Sequence, residues 1–174
     1  LTTESKKMLN DILKNMSLFV DGRGYAGNVD ELNLPKLALK TEEFRGGGMD
    51  APIEIDMGME KLECDFTLTR FDKDVLSLFG VSAGQAVPLT ARGALVSDDN
   101  TQTAIVVNLQ GMLREVEWGS WKAGDKATVK IAMALRYYKL THGGTVIHEI
   151  DVPNMVRTIA GIDQLAQTRS ALGM

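Results

Sequence analysis

Apolar residues in this chain recur mostly at every second position, the spacing of a strand whose two faces differ. Leu62, Cys64, Phe66 and Leu68 alternate with Glu63, Asp65, Thr67 and Thr69. Ile53, Ile55, Met57 and Met59 alternate with Glu54, Asp56, Gly58 and Glu60. Ile105, Val107 and Leu109 alternate with Val106, Asn108 and Gln110, and Leu113 continues the apolar face. Val129, Ile131, Met133, Leu135 and Tyr137 form another such face, opposite Lys130, Ala132, Ala134, Arg136 and Tyr138. One face packed and one solvated is the signature of antiparallel sheet.

Turn residues punctuate these runs. His142-Gly143-Gly144-Thr145 predicts a hairpin over residues 126–151, because two glycines accept positive φ without a Cβ penalty. A two-residue turn there sets Arg136 opposite Asp151 and His148 opposite Lys139. Pro35 interrupts Leu32, Leu34, Leu37 and Leu39, which implies a sheet edge or a bulge. Two short helices break the strand pattern. Asp72 caps the first, which carries Val75, Leu76, Leu78 and Phe79 and stops at Gly80. The second starts at Asp163 and ends at Gly173. No solenoid repeat, low-complexity tract or linker divides the chain, which predicts one domain.

Composition narrows the function. The 174 residues are 44% hydrophobic and 24% charged, as in ordinary globular proteins. No apolar run approaches the roughly 18–20 residues of a membrane-spanning helix. The net charge of −4 and pI near 5.2 do not favour tight binding to a phosphate backbone. The lone Cys64 forms no internal disulfide, so the fold does not rely on an oxidising compartment.

Candidate chemistry is sparse. His142, His148 and Cys64 make no ligand-spaced cluster, so neither a metal nor another cofactor is expected. Cys64 lies on an apolar face, where a thiol is inert. No serine-nucleophile or phosphate-loop pattern occurs. Glu63 and Asp65, two apart on one strand, have no special geometry for acid–base work and read as a solvated face. Trp118 and Trp121 flank Gly119-Ser120 and form either a binding platform or a cover over a core edge. Arg45-Gly46-Gly47-Gly48-Met49-Asp50 is a surface loop or a segment ordered against a partner. Long two-faced strands in so small a chain leave open edges, and closing a sheet across subunits is one physical answer.

Several segments stand out by their order and spacing. They are Ser17-Leu18-Phe19-Val20-Asp21-Gly22 with Tyr25-Ala26-Gly27, Leu32-Asn33-Leu34-Pro35-Lys36-Leu37, and Lys40 through Pro52. Ile55-Asp56-Met57-Gly58-Met59-Glu60, Leu78-Phe79-Gly80, Leu113-Arg114-Glu115-Val116 and Trp121-Lys122-Ala123-Gly124 follow. Tyr137-Tyr138-Lys139-Leu140, Val156-Arg157, Gly161 through Ala166 and Ala171-Leu172-Gly173 complete the set, which covers residues 8–174. In this order and spacing the segments resemble the major tail tube proteins of contractile phage tails, the P2-type tube family that includes R-type pyocin tubes.

The resemblance implies a mainly β, antiparallel sandwich or barrel-like tube domain over residues 8–174, with residues 1–7 an extension. It implies a non-enzymatic structural subunit whose hexameric rings stack into a hollow tube, driven through a cell envelope on sheath contraction. The implied partners are other copies of the chain, the tail sheath, baseplate, tape-measure and tail terminator proteins, and DNA as non-specific cargo in the lumen; no membrane anchoring is implied. The implied place is the virion tail or bacteriocin particle, assembled in the bacterial cytoplasm. The loop Glu43, Phe44, Arg45, Gly46, Gly47, Gly48, Met49, Asp50, Ala51 and Pro52 is expected to reach adjacent subunits and rings. Glu63, Asp65, Thr67, Thr69, Asn108 and Gln110 are the expected lumen-facing residues. The alternatives are a tube of a contractile injection or type VI secretion system and a small-ligand-binding β-barrel.

Overall fold

A computed structural model describes residues 10–24, 28–81 and 84–174. The expected extension over residues 1–7 and the Tyr25-Ala26-Gly27 segment lie outside the described residues. The strands are β1 (Asp11–Val20), β2 (Arg23–Gly24), β3 (Val29–Asn33), β4 (Leu39–Phe44), β5 (Ile53–Met59), β6 (Leu62–Leu68), β7 (Val87–Ser97) and β8 (Gln102–Trp118). They continue with β9 (Val129–His142), β10 (Thr145–Asp151), β11 (Val156–Ile159) and β12 (Ile162–Asp163). Helix α1 spans Lys73–Leu76 and α2 spans Ala166–Ala171.

Ten strands form one antiparallel sheet in the order β12-β11-β10-β9-β8-β7-β1-β2, with β6 and then β3 branching from β9. The branch arises because one edge of β9 is shared. Val129 to Leu135 pair with β6, and Tyr137 to His142 pair with β10. The other edge of β9 pairs with β8 along its whole length. Leu18 and Val20 of β1 belong to the same buried cluster as Leu62, Cys64, Phe66 and Leu68 of β6, from which β7, β8 and β9 separate them in the sheet. A flat sheet cannot bury one of its own faces against itself, so the sheet curls into a barrel-like shell. Val75 of α1 plugs this core.

The strand periodicity carries through in β6, whose four apolar residues are all buried. It inverts within β9. Gln110 pairs with Tyr137 and Gly111 with Leu135, which leaves Arg136 as a bulge. Tyr138 is therefore buried and Tyr137 turns to the polar face, the reverse of strict alternation. Gly111 is required at this point, because a Cβ there would lie 2.1 Å from the Ala134 carbonyl oxygen.

The β9–β10 hairpin closes through Gly143 and Gly144, both at positive φ (55° and 86°). A second bulge lies between Val146 and His148. It shifts the register by one, so Asp151 lies opposite Tyr137 rather than Arg136, and His148 opposite Leu140 rather than Lys139. Lys139 gains an opposite charge directly across, Glu149.

Pro35 ends the strand pattern. β3 stops at Asn33 and β4 begins at Leu39. Asp72 caps α1 through Oδ1, which accepts from the amides of Asp74 (2.9 Å) and Val75 (3.2 Å). Asp163 does not cap α2: it closes β12, and its carboxylate accepts from the Leu165 amide at 3.0 Å and from Arg169. α2 ends as expected at Gly173 (φ 74°), where the Met174 amide donates to the Arg169 carbonyl at 3.0 Å.

Candidate assembly surfaces

The expected inter-subunit loop is the end of an arm. β4 and β5 pair only with each other and form a two-stranded ribbon apart from the main sheet. Glu43, Phe44 and Ile53 are strand residues, so the turn proper is shorter than the run Glu43 to Pro52. The turn is closed by its own chain: the Met49 amide donates to the Gly46 carbonyl (3.1 Å), and Arg45 Nε donates to the Met49 carbonyl (3.2 Å).

Cross-strand pairing sorts the arm into two faces. Phe44 lies opposite Ile53 and Glu42 opposite Ile55, with Met57 on the same side. Phe44, Ile53, Ile55 and Met57 are all exposed, by 44–55%. The other face sets Glu43 directly opposite Glu54, a like-charge pair that weakens an isolated hairpin. A two-stranded hairpin alone is marginal in water. The arm therefore presents an apolar face that no described residue covers, together with an excess of carboxylates.

The base of the arm is fastened. The Glu60 amide donates to the Ala38 carbonyl at 2.9 Å. Arg157 of β11 donates to Asp56 of β5 at 2.7 Å, and the arginine side chain is only 15% exposed. That bond, with the Gly58 amide at 2.8 Å, holds the Asp56 carboxyl below the usual carboxylate range. Gly58 (φ 104°) lets the strand bend there. Beside it, a cavity of about 300 Å³ is lined by Met59, Leu62, Leu135, Ile150, Val156 and Leu165.

Five of the expected lumen residues share the polar face of the main sheet, in two groups. Glu63, Asp65 and Thr67 flank Ala134, Ala132 and Lys130 on the first half of β9. Asn108 and Gln110 flank Lys139 and Tyr137 on the second half. Thr69 lies past the end of β6, where its amide and hydroxyl both donate to the Asn28 carbonyl (2.8 and 3.3 Å). The carboxylates are matched by cations. Glu63 meets Lys61 at 2.9 Å and Arg114 at 3.2 Å, with Lys61 the main cause of its lowered pKa. Asp65 accepts from Asn33 at 2.7 Å and faces Lys130 at 3.8 Å. The Tyr137 hydroxyl donates to Glu149 at 3.1 Å, and burial first, then that carboxylate, pushes its pKa up to about 12. Sequence reasoning put Lys130 on the polar side of its strand but did not set it, Arg114 or Lys139 among the expected lumen residues. Their signal was present, since strand alternation places Lys130 beside Ala132 and opposite Thr67.

The two tryptophans sit at the far end of β8 from its turn with β7. Trp118 meets Phe71 edge-to-face at 5.2 Å, and Trp121 lies 6.2 Å from the same ring. Trp118 is 52% and Trp121 81% exposed, so the pair covers Phe71 but stays open to solvent itself. Cys64 is buried, with its thiol pushed up to about 12, chiefly by burial. Among the described residues, no three His, Cys, Asp or Glu side chains group as a metal site.

An exposed amphipathic arm, a paired-charge polar sheet face and an open aromatic corner are the surfaces the described residues offer. The family model described as phage tail tube protein FII matches residues 10–173. The tail tube protein of Escherichia phage P2 is 33% identical over 166 residues, covering 93% of this chain and 96% of that protein. The major tail tube protein of Serratia phage KSP20 is 27% identical over 144 residues, covering 83% of this chain and 84% of that protein. The fold also matches a chain from the sheath-tube complex of an extracellular contractile injection system in its extended state. The TM-score is 0.61 at 12% identity, over 81% of this chain and 99% of the other. The chain thus belongs to the phage tail tube protein family, as a structural subunit of a contractile tail and not an enzyme.

Proposed function

We propose that copies of this chain join side by side into six-membered rings and that the rings stack into a hollow tube. The observation that supports this best is the β4–β5 arm, whose exposed Phe44, Ile53, Ile55 and Met57 have no cover among the described residues. An interface that uses one patch as donor and a different patch as acceptor closes into rings in one direction and propagates openly in the other. The segment from Glu43 to Pro52 is the part that reaches neighbouring subunits and rings. The polar face carrying Glu63, Asp65, Thr67, Asn108 and Gln110 lines the lumen. Its carboxylates offset by Lys61, Arg114 and Lys130 leave little net charge to grip a passing polyanion, which suits a conduit for DNA. The sheath is the partner outside, a role supported by the fold match to a sheath-tube complex. The baseplate, tape-measure and terminator proteins set where the tube starts and stops.

Negative-stain electron microscopy of the purified chain over a concentration series tests the core of this reading. Six-fold rings or hollow rods are the expected result. Dispersed particles at every concentration, including with an added baseplate nucleus, overturn it.

A further inference from the structure

The arm leaves the body at the start of β6, immediately before Leu62, and the Trp118–Trp121 corner sits at the other end of that strand. Leu68 pairs with Val129, Val129 pairs with Trp118, and Phe71 follows Leu68 by three residues. The seven residues of β6 hold these two features roughly 20 Å apart. Both edges of β6 are taken, by β3 and by β9, so the arm has no edge of that strand to pair with.

The two features are complementary. The arm offers an exposed aromatic and aliphatic face together with Glu42, Glu43 and Glu54. The corner offers Trp121, the most exposed large apolar side chain among the described residues, beside a depression lined by Phe71, Trp121, Lys122 and Lys126. Lys126 already shares Asp30 at 3.2 Å, an exposed pair that can rearrange at little cost. Glu42 lies on the same face of the arm as Phe44 and Ile55, where a cation beside the aromatic corner can meet it.

We propose that the aromatic–lysine corner is the acceptor for the arm of a second copy of this chain. Phe44 and Ile53 pack on Trp121 and Trp118, and Lys122 meets Glu42, the carboxylate on that same face. This rests on the proposed self-assembly and specifies where the neighbour docks. Donor and acceptor at opposite ends of one strand make every added copy present a fresh acceptor, so the contact propagates head to tail. Trp118 on Phe71 exists only once β6, β8 and β9 have paired, so only a folded subunit offers the acceptor.

Cysteine pairing tests it directly, since native Cys64 is buried and does not compete. The variant carrying Phe44→Cys and Trp121→Cys is assembled and then oxidised. Bond formation requires Cα atoms within about 7 Å, and a bond closed inside one subunit adds no rung to a ladder. The expected result is a ladder of covalent multimers on a non-reducing gel, absent for each single variant. Rods that yield no ladder overturn the acceptor site and leave the tube reading standing. Wild-type protein that never forms rods overturns that reading and the acceptor together. Should the double variant not assemble, Lys122→Glu decides instead. It is expected to raise the half-assembly concentration about tenfold or more, as loss of a central contact does, with recovery on adding Glu42→Lys. An unchanged concentration, or no recovery, overturns the proposal.

Discussion

Gly111→Ala strikes the one place where β8 and β9 approach too closely for any side chain. The added methyl would sit 2.1 Å from the Ala134 carbonyl oxygen and 2.9 Å from the Ala134 carbonyl carbon and the Leu135 Cα. All three are backbone atoms, so no rotamer change clears them. A carbon–oxygen contact needs about 3.3 Å or more, which parts the strands by roughly 1 Å. Losing about three ladder hydrogen bonds near 1 kcal/mol each gives a cost of about 3 kcal/mol. For a domain of this size that lowers Tm by about 6–12 °C. Thermal unfolding followed by far-UV circular dichroism measures it. Gly47→Ala is the control, since that glycine has open space around it and no positive φ. A Tm for Gly111→Ala within about 2 °C of wild type, or a control that falls as far, refutes the assignment of the bulge as a steric requirement.

Deleting Gly46–Gly48 should reduce rod formation far more than Tm, and equal losses in sedimentation and melting would count against the arm as an assembly element. Acid should release the base of the arm. Arg157 depresses Asp56 in the folded state, so the contribution is complete above the ordinary value of 3.8 and disappears as pH falls through the lower folded value. Limited proteolysis within residues 45–52 should therefore be constant from pH 7 to 5 and rise only in stronger acid, with Arg157→Ala raising it already at neutral pH. Cys64→Ser should cost about 1–3 kcal/mol by burying a hydroxyl in an apolar site, seen as a shifted denaturation midpoint. The native thiol, pushed up to about 12, should resist alkylation at pH 8 until the chain is unfolded.

The buried strands were legible because period-two alternation survives wherever pairing is regular, as in β6. Bulges are where it failed. One unpaired residue at Arg136 and another between Val146 and His148 leave no periodic trace, yet each moves every later partner by one position. Gly111 signals the first bulge, but only the approach of Ala134 shows what that glycine is for. Ile53, Ile55 and Met57 alternate as a half-buried strand does, yet all three are exposed, and no described residue covers them. Asp163 looked like a helix start because acidic residues favour helix N-termini. Its carboxylate is taken instead by Arg169, a tertiary pairing invisible to local spacing. The polar face was read from β6 and β8 alone. The cations that neutralise it come from Lys61, Lys130 and Arg114, which alternation placed correctly but whose partners only the sheet order revealed.

The sheet order also sets a timetable for synthesis. β1 has no neighbour near it in sequence except the two residues of β2, and its true partner is β7, some 70 residues downstream. At roughly 5–20 residues per second, β1 leaves the ribosome several seconds before β7 exists. The arm, by contrast, needs only its own short turn and closes as soon as β5 emerges. The order of completion is then arm, β6 with β3, the seam between Asp11 and Ser97, which Ser97 Oγ closes by donating to the Asp11 carboxylate at 2.9 Å, and only afterwards the pairings of β8 to β12. A nascent subunit shows its adhesive ribbon before it has a body to carry it, so crowding on one message favours premature sticking between neighbours. Slower translation upstream of residue 87 would lengthen that window, and a chaperone that shields Leu18 and Val20 would be most useful within it.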